Sequence, residues 1–237
     1  MKVVISKKDI AGMNISKFLD NFELIEEDII YADTKSDNFV IFASRHKSES
    51  KKPTLTVHTT GNFKENLYGG EENTLSFCNA LIMSTALRKI NELNNLPEFE
   101  VSFEATHHGP TTDFPSMFIE VGSSPKNWKN LSACKIIADT IKFIILKKEY
   151  KGESAIGFGG QHYPKLFSKM CIEEKYNFGH ICPKYHINNL TKDLVKQMIE
   201  KTSPIPKIAF MDKKSLSSPE KEKVRNLCRD LIELKEV

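Results

Sequence analysis

The chain has 237 residues, of which 40% are apolar and 27% charged, and its formal net charge is +3. This composition is typical of a globular protein and excludes a disordered one, while the small charge does not by itself indicate nucleic-acid binding. Its apolar stretches are far shorter than the roughly 18 residues of a membrane span, and no signal peptide precedes them, so we expect a cytoplasmic protein without a membrane segment. No repeat or linker divides the sequence, which predicts one domain over residues 1–237. We expect the protein to be a monomer.

Short apolar runs with the two-residue period of half-buried strands recur along the chain. Three longer segments carry apolar residues at helical spacing, over residues 74–93, over 127–147, and from Ser218 onward, where a serine, a proline and an acid form a helix start. Strands that alternate with helices predict an α/β fold with a mixed β-sheet flanked by helices. The predicted strands cover residues 3–6, 39–44, 54–58, 99–105, 117–121, 155–158, 178–182 and 208–211.

The loop between the fourth and fifth predicted strands carries adjacent histidines, His107 and His108, followed by a Gly109-Pro110 turn. Glu104 precedes them by three residues. The loop has about ten residues, so the two strands can form an antiparallel pair. Because successive side chains of an extended strand alternate, we expect one imidazole to face the cleft and the other to support it.

Other histidines stand at similar strand-to-turn junctions. His46, His58, His162 and His180 each follow or end an apolar run beside glycine, serine or threonine. The ends of strands in an α/β sheet can meet at one edge, where such sheets bind ligands. The pattern therefore predicts a shared site rather than separate surface histidines.

Five sequence motifs make the chain similar to a known family. SRHKSES, LTVHTTGN, FEATHHGPTTDFPSMFIEVGSS, GFGGQHYP and FGHICPKY occur in this order over residues 40–185. The series resembles that of the archaeal and plant type of D-aminoacyl-tRNA deacylase. The resemblance implies hydrolysis of the ester that joins a D-amino acid to the 3′ end of tRNA, dependence on zinc, and a core similar to that of peptidyl-tRNA hydrolases and nucleoside phosphorylases. The implied partner is the aminoacylated 3′ end of tRNA.

Hydrolysis of such an ester needs a positioned water, a base or metal, and donors for the developing oxyanion. We expect catalytic roles for His107 and His108, for Glu104 as the group that orients an imidazole, and for Thr111 as a donor to the substrate. A histidine-rich centre suits zinc, with His58, His107, His108 and His162 as candidate ligands. The candidate substrate-binding residues are Arg45, His46, Thr59, Thr60, Gly159 and Gly160.

The five cysteines are dispersed and form no C-x-x-C pair, which argues against a disulfide framework. Cys182 leaves two alternatives open: a structural zinc site with His180 and His186, or a nucleophile. Three other functions also remain compatible with the sequence. They are a phosphorylase-like enzyme, a peptidyl-tRNA hydrolase-like enzyme, and a non-catalytic RNA-binding protein that would not depend on the histidines.

Overall fold

The computed structural model describes residues 1–49 and 51–237 and contains three β-sheets with helices packed around them. Short 3₁₀ helices at Ile29–Tyr31 and Lys184–Asn189 supplement the regular elements. The strands are β1 (Lys2–Ser6), β2 (Glu23–Ile25), β3 (Val40–Lys47), β4 (Thr54–His58), β5 (Cys78–Asn79), β6 (Glu100–Phe103), β7 (Ser116–Ser123), β8 (Ser154–Phe158), β9 (Asn177–Cys182), β10 (Thr202–Ser203), β11 (Ile208–Met211) and β12 (Glu233–Glu236). The helices are α1 (Ile10–Ser16), α2 (Ala80–Leu93), α3 (Pro125–Trp128), α4 (Leu131–Leu146), α5 (Lys165–Ile172), α6 (Lys192–Glu200) and α7 (Ser218–Cys228).

The largest sheet is mixed and has the strand order β2-β1-β3-β7-β4-β6. Its neighbouring strands are parallel except for β7 and β4, which run antiparallel. A second sheet, β12-β11-β8-β9, is parallel throughout, and β5 pairs with β10 in a third. The predicted α/β fold with a mixed sheet flanked by helices is therefore confirmed.

The eight predicted strands are all present, and their ends shift by no more than three residues. The antiparallel pairing that the sequence allowed between β6 and β7 is not found. β4 lies between them, parallel to β6 and antiparallel to β7. The twelve residues 104–115 that join β6 to β7 are long enough for the two strands to lie apart.

Two predicted helices begin later than their apolar pattern does. The Asn79 side chain accepts hydrogen bonds from the amides of Leu81 and Ile82, so α2 starts at Ala80. In the same way, Asn130 caps α4. The last helix does start at Ser218, but its cap is Ser217, which forms a capping box with Glu220. Helices α1, α5 and α6 were not predicted.

Alternation along the strands gives the six-stranded sheet two chemically different faces. Odd-numbered residues such as Ile41, Val57 and Ile119 lie in the main apolar core, which also includes residues of α1, α2 and α4. Even-numbered residues of the same strands face the opposite side, where polar groups collect toward one end. This second face supports the candidate site. Among the described residues, no helix has the length and apolar character needed to cross a membrane.

Candidate active site

Five imidazoles and two carboxylates converge from five chain segments. Three of the segments are strands of the six-stranded sheet, the fourth is the loop after β6, and the fifth follows β8 of the parallel sheet. The predicted convergence of strand ends is thus found for His46, His58 and His162 but not for His180, and it involves two sheets and not one. The side chains are those of His46, His58, Glu104, His107, His108, Glu120 and His162.

Strand register explains why these groups share one face. Glu120 of β7 is paired with Ser44 of β3 on one side and with Thr56 of β4 on the other. His46 and His58 each lie two positions farther along their strands, so they project from the same face of the sheet. A charged side chain within the apolar strand β7 is consequently placed between two imidazoles.

Glu104 is the carboxylate that most histidines contact. Its Oε2 atom lies 2.8 Å from Nε2 of His162, 3.0 Å from Nδ1 of His46 and 3.5 Å from Nε2 of His107. Its Oε1 atom has no hydrogen-bond partner among the described residues. The residue is only 2% exposed, so it is a buried acid and not a solvent-facing strand residue. The expectation that it orients an imidazole agrees with these contacts, which involve His46 and His162 more closely than His107.

Glu120 is the second buried carboxylate and is also 2% exposed. Its Oε1 atom accepts a 2.5 Å hydrogen bond from the Ser44 hydroxyl. Its Oε2 atom lies 3.3 Å from Nε2 of His58 and 3.7 Å from Nδ1 of His46, within ion-pair range but without hydrogen-bond alignment to the described groups. The carboxylate therefore compensates charge on both rings, while its Oε2 atom accepts no hydrogen bond from the described residues.

His107 and His108 project toward each other, which contradicts the expected alternation. β6 ends at Phe103, and His108 has a left-handed backbone with a φ of 44°. The two ring centroids are therefore only 4.3 Å apart, and each is within 5 Å of the His58 ring. Gly109 permits this turn, because a Cβ atom there would lie 2.3 Å from the backbone nitrogen of Gly70.

Hydrogen bonds to carbonyl groups fix the proton positions of three rings. The Nδ1 atoms of His58, His107 and His108 lie 3.1, 2.8 and 2.5 Å from the carbonyl oxygens of Thr59, Ala105 and Gly109. A carbonyl can only accept, so each Nδ1 carries a proton, and each neutral ring presents an unprotonated Nε2. The Nε2 lone pairs are therefore the atoms available to bind a cation or take a proton.

The cluster divides the histidines into two protonation classes. Burial lowers the pKa of His46, but the carboxylates of Glu104 and Glu120 outweigh it and raise the pKa to about 11. For His58, burial is likewise outweighed, chiefly by Glu120, and its pKa is raised. Burial and the neighbouring imidazoles lower the pKa of His107 well below its usual range and that of His108 to about 4. His46 is thus held as a cation beside the two neutral rings of His107 and His108, and the pKa of His58 is shifted in the same direction as that of His46.

The carboxylates stay ionised despite their burial. Burial raises the pKa of Glu104, yet the charge of His46 and the hydrogen bond from His162 hold it well below its usual range. Burial and the charge of Glu104 raise the pKa of Glu120, but His46 and His58 bring it to about 2. Two negative charges in a buried site require compensating positive charge, which protons on His46 and His58 provide and a metal cation can also provide.

The donor set fits a metal ion such as zinc. Imidazole nitrogens and carboxylate oxygens are its ordinary ligands. The buried Nε2 atoms of His46 and His58 and the Oε1 atom of Glu104 all lack hydrogen-bond partners among the described residues. The ligand atoms lie within 4.8 Å of one another in three overlapping groups, namely His46-Glu104-His107-His162, His58-His107-His108 and His58-Glu104-Glu120.

The four predicted zinc ligands all lie in these groups, but several predicted substrate-binding residues do not. Arg45 points to the opposite face of β3, where it contacts Asp9 and Asp28, because neighbouring strand residues alternate. His46 is inside the cluster and not at a separate substrate-binding position. The amides of Gly159 and Gly160 donate to the Cys182 carbonyl and the Ser215 hydroxyl, so they do not point to a ligand.

The three predicted threonines hold the loops around the cluster. The Thr60 hydroxyl contacts Ser76 and donates to the Pro110 carbonyl. The Thr111 hydroxyl accepts from the amide of Glu71, a contact that fixes the neighbouring loop. Thr59 is buried, and its carbonyl contacts the His58 ring.

Sequence reasoning missed Glu120. The sequence contains a signal for it, because a single acid within the apolar residues 117–121 is buried only when its charge is compensated.

The alternatives for Cys182 are wrong. Burial raises the pKa of its thiol well above the usual range, which disfavours a nucleophile. His180, in turn, uses Nδ1 on the Thr106 hydroxyl and Nε2 on the Ser76 carbonyl, at 3.3 and 3.0 Å, so it is not free to join Cys182 in a zinc site.

Comparison with known proteins identifies the family. The family model for D-aminoacyl-tRNA deacylase matches residues 33–233. The D-aminoacyl-tRNA deacylase of Thermococcus onnurineus is 35% identical over 98% of this chain and 97% of its own length. That of Methanocaldococcus jannaschii is 39% identical over 84% and 85% of the two chains. The solved crystal structure of a conserved protein of unknown function is 28% identical and covers 100% of this chain and 95% of its own, with a TM-score of 0.91. The chain belongs to the D-aminoacyl-tRNA deacylase family.

Proposed function

We propose that the protein hydrolyses the ester of D-aminoacyl-tRNA at the seven-residue cluster described above, releasing free D-amino acid and tRNA. The observation that supports this most directly is the convergence of the family-like histidine motifs on one buried group of imidazoles and carboxylates. Its outer members, His107 and His162, have side chains 22% and 30% exposed, so a substrate can approach them from solvent. Chiral proofreading in translation is the purpose that such an activity serves.

His107 and His108 are the candidate general bases. Their lowered pKa values keep both rings neutral near pH 7, and the hydrogen bonds at Nδ1 leave Nε2 free to take a proton from water. Glu104 holds His162 and His46 in place through its Oε2 atom. The catalytic roles expected for His107, His108 and Glu104 are kept in this proposal, and the role expected for Thr111 is not.

We propose further that the cluster holds zinc. His58, His107 and His108 present three Nε2 atoms to one another, and His162, His46 and Glu104 form an adjoining group around His107. When bound, zinc supplies a Lewis acid and lowers the pKa of a coordinated water. The carboxylates then balance the charge of the cation in place of the protons on His46 and His58.

The other expected properties follow from this substrate. Aminoacyl-tRNA is used where translation takes place, so we expect the enzyme to act in the cytoplasm. Every member of the cluster comes from one chain, which supports a monomer as the active form. Residues 1–237 are proposed to function as a single domain, because the cluster joins the two main sheets.

The decisive experiment compares matched D- and L-aminoacyl-tRNA as substrates. We expect much faster release of the D-amino acid, since a pocket that rejects one arrangement about Cα enforces chirality. Equal rates on the two substrates would contradict proofreading and indicate a general esterase. Release of an N-blocked peptide, or phosphate-dependent release of a base, would assign one of the alternative enzyme activities.

A further inference from the structure

A half-exposed aromatic ring lies at the edge of the cluster without a role in the chemistry described above. Tyr185 is 49% exposed and belongs to the 3₁₀ helix that follows β9. Its hydroxyl is 3.4 Å from Nδ1 of His162, whose Nε2 contacts Glu104. The ring therefore extends from the ester-cleaving groups toward solvent.

The ring is supported on one side by other rings. His186 packs edge-on against Tyr185, with centroids 4.8 Å apart, and His186 in turn lies 5.9 Å from Phe63. A tyrosine held in this way has lost much of its rotational freedom, while part of its surface stays open. Exposed aromatic rings of this kind are what single-stranded nucleic acids use for base stacking.

Two lysines belong to the chain segments next to this position. Lys184 and Lys214 are exposed and flank the turn that carries His162. The Lys184 amide donates to the Gly160 carbonyl, and Ser215, next to Lys214, accepts from the Gly160 amide. Of the nearby acids, Glu220 is committed to the capping box of α7. Stacking rings combined with basic side chains are the usual composition of a single-strand binding surface.

We infer that Tyr185 is the stacking platform for the base of the 3′-terminal nucleotide of tRNA, with Lys184 and Lys214 beside the adjoining phosphate groups. This inference rests on the proposed function, because it places the ester at His107 and His162. The ester is carried by the ribose of that same nucleotide, so its base must lie next to the cluster. Tyr163 also packs against His46 and His162, but its hydroxyl is buried, whereas Tyr185 is 49% exposed and its hydroxyl lies beside His162.

A second basic and aromatic surface provides a matched control. Lys89 and Lys147 lie 4.7 and 5.6 Å from the Phe143 ring. The neighbouring Arg88 contacts Asn177 at the start of β9, whereas Tyr185 follows the other end of that strand. The intervening strand spans roughly 16 Å, since each residue advances about 3.3 Å. The Phe143 surface has similar chemistry but lies away from the cluster.

The test measures binding of two deacylated tRNAs, one complete and one without its terminal nucleotide. For the wild-type protein and for Tyr185→Phe, we expect removal of the nucleotide to weaken binding by about tenfold or more. For Tyr185→Leu and Tyr185→Gln, binding should already be weak and should not change when the nucleotide is removed. Phe143→Leu should behave like the wild type.

Two outcomes would overturn the inference. One is a Tyr185→Leu or Tyr185→Gln protein, folded by its melting curve, that still senses the terminal nucleotide as the wild type does. The other is a Tyr185→Phe protein as defective as the leucine variant, which would show that the terminal nucleotide is recognised by the hydroxyl and not by the ring. Because the assay needs no turnover, its result is independent of whether wild-type protein hydrolyses D-aminoacyl-tRNA, which tests the proposed function separately.

Discussion

At the scale of single residues, two carboxylates influence the protonation of several imidazoles. Glu104 and Glu120 hold His46 as a cation, while His107 and His108 stay neutral because burial and neighbouring rings oppose their protonation. Similar side chains thus acquire different roles through their surroundings. Glutamine replacements are suited to test these roles, since they remove proton transfer or charge with little change in volume.

Replacing His107 or His108 by glutamine should lower turnover of D-aminoacyl-tRNA by at least roughly 100-fold, because an amide cannot accept the proton. The melting temperatures of the metal-free proteins should change little, since both rings are partly exposed. His180→Gln is the control: it should lower the melting temperature and leave turnover per folded molecule unchanged. Full activity in both cluster variants would show that the reaction is not catalysed at this loop.

Glu120→Gln tests the carboxylate that the sequence did not reveal. The buried amide removes the carboxylate that contacts His58 and leaves His46 with Glu104 alone, and we expect zinc affinity and turnover to fall roughly 10- to 100-fold. Zinc affinity is measured by competition with a chromophoric chelator. Ser44→Ala, which removes only the hydrogen bond to Glu120, should have a smaller effect. Unchanged affinity and turnover in Glu120→Gln would limit this residue to balancing charge in the metal-free protein.

At the scale of elements, periodicity located the strands well and the helix starts poorly. β4 has the predicted ends because alternation runs through its full length, and β11 because its apolar run is bounded by the charged residues Lys207 and Asp212. The apolar pattern of α2 begins six residues early, since residues 74–79 pack against the core in other conformations before Asn79 caps the helix. The pairing of β4 between β6 and β7 depends on long-range contacts, which local patterns do not encode.

β9 contains a buried group whose protonation links strand stability to pH. His180 is fully buried, and burial lowers its pKa to about 3. The ordinary value is about 6.5, so between these values the unfolded chain binds one more proton than the folded one. The free energy of unfolding should therefore fall on acidification, by about 1.4 kcal/mol per pH unit from this residue.

Urea denaturation of the wild type and His180→Gln at several pH values between about 6 and 4 measures this contribution. All other titrating groups are common to the two proteins, so their effects cancel in the difference. We expect the stability difference between them to shrink as the pH falls. Parallel curves for the two proteins would mean that His180 becomes protonated in the folded state without cost.

At the scale of the whole molecule, the site is a meeting point of two sheets. His46, His58 and the loop after β6 belong to the larger sheet, and His162 follows β8 of the parallel one. The histidine motifs indicated which residues could converge, but not that Arg45 would face away or that the Gly159 and Gly160 amides would be occupied. Those outcomes depend on strand faces and on contacts between sheets, which follow only from the assembled fold.

This arrangement makes metal binding a property of the folded molecule. Ligands from five segments come together only after both sheets have formed, so zinc should raise the melting temperature, and more so at higher zinc concentration. Treatment with a chelator should lower both the melting temperature and turnover, and zinc should restore them where magnesium does not. Binding should weaken steadily as the pH falls, because protons compete with zinc for the rings of His46 and His58, whose pKa values are raised, whereas the lowered pKa of His108 keeps that ligand unprotonated down to about pH 4. Because the pKa values of His46 and His58 are raised, zinc should also displace protons at neutral pH, and calorimetry in buffers of different ionisation enthalpy detects that release. Metal-free protein with full turnover would contradict the zinc proposal, and His107 and His108 would then have to activate water unaided.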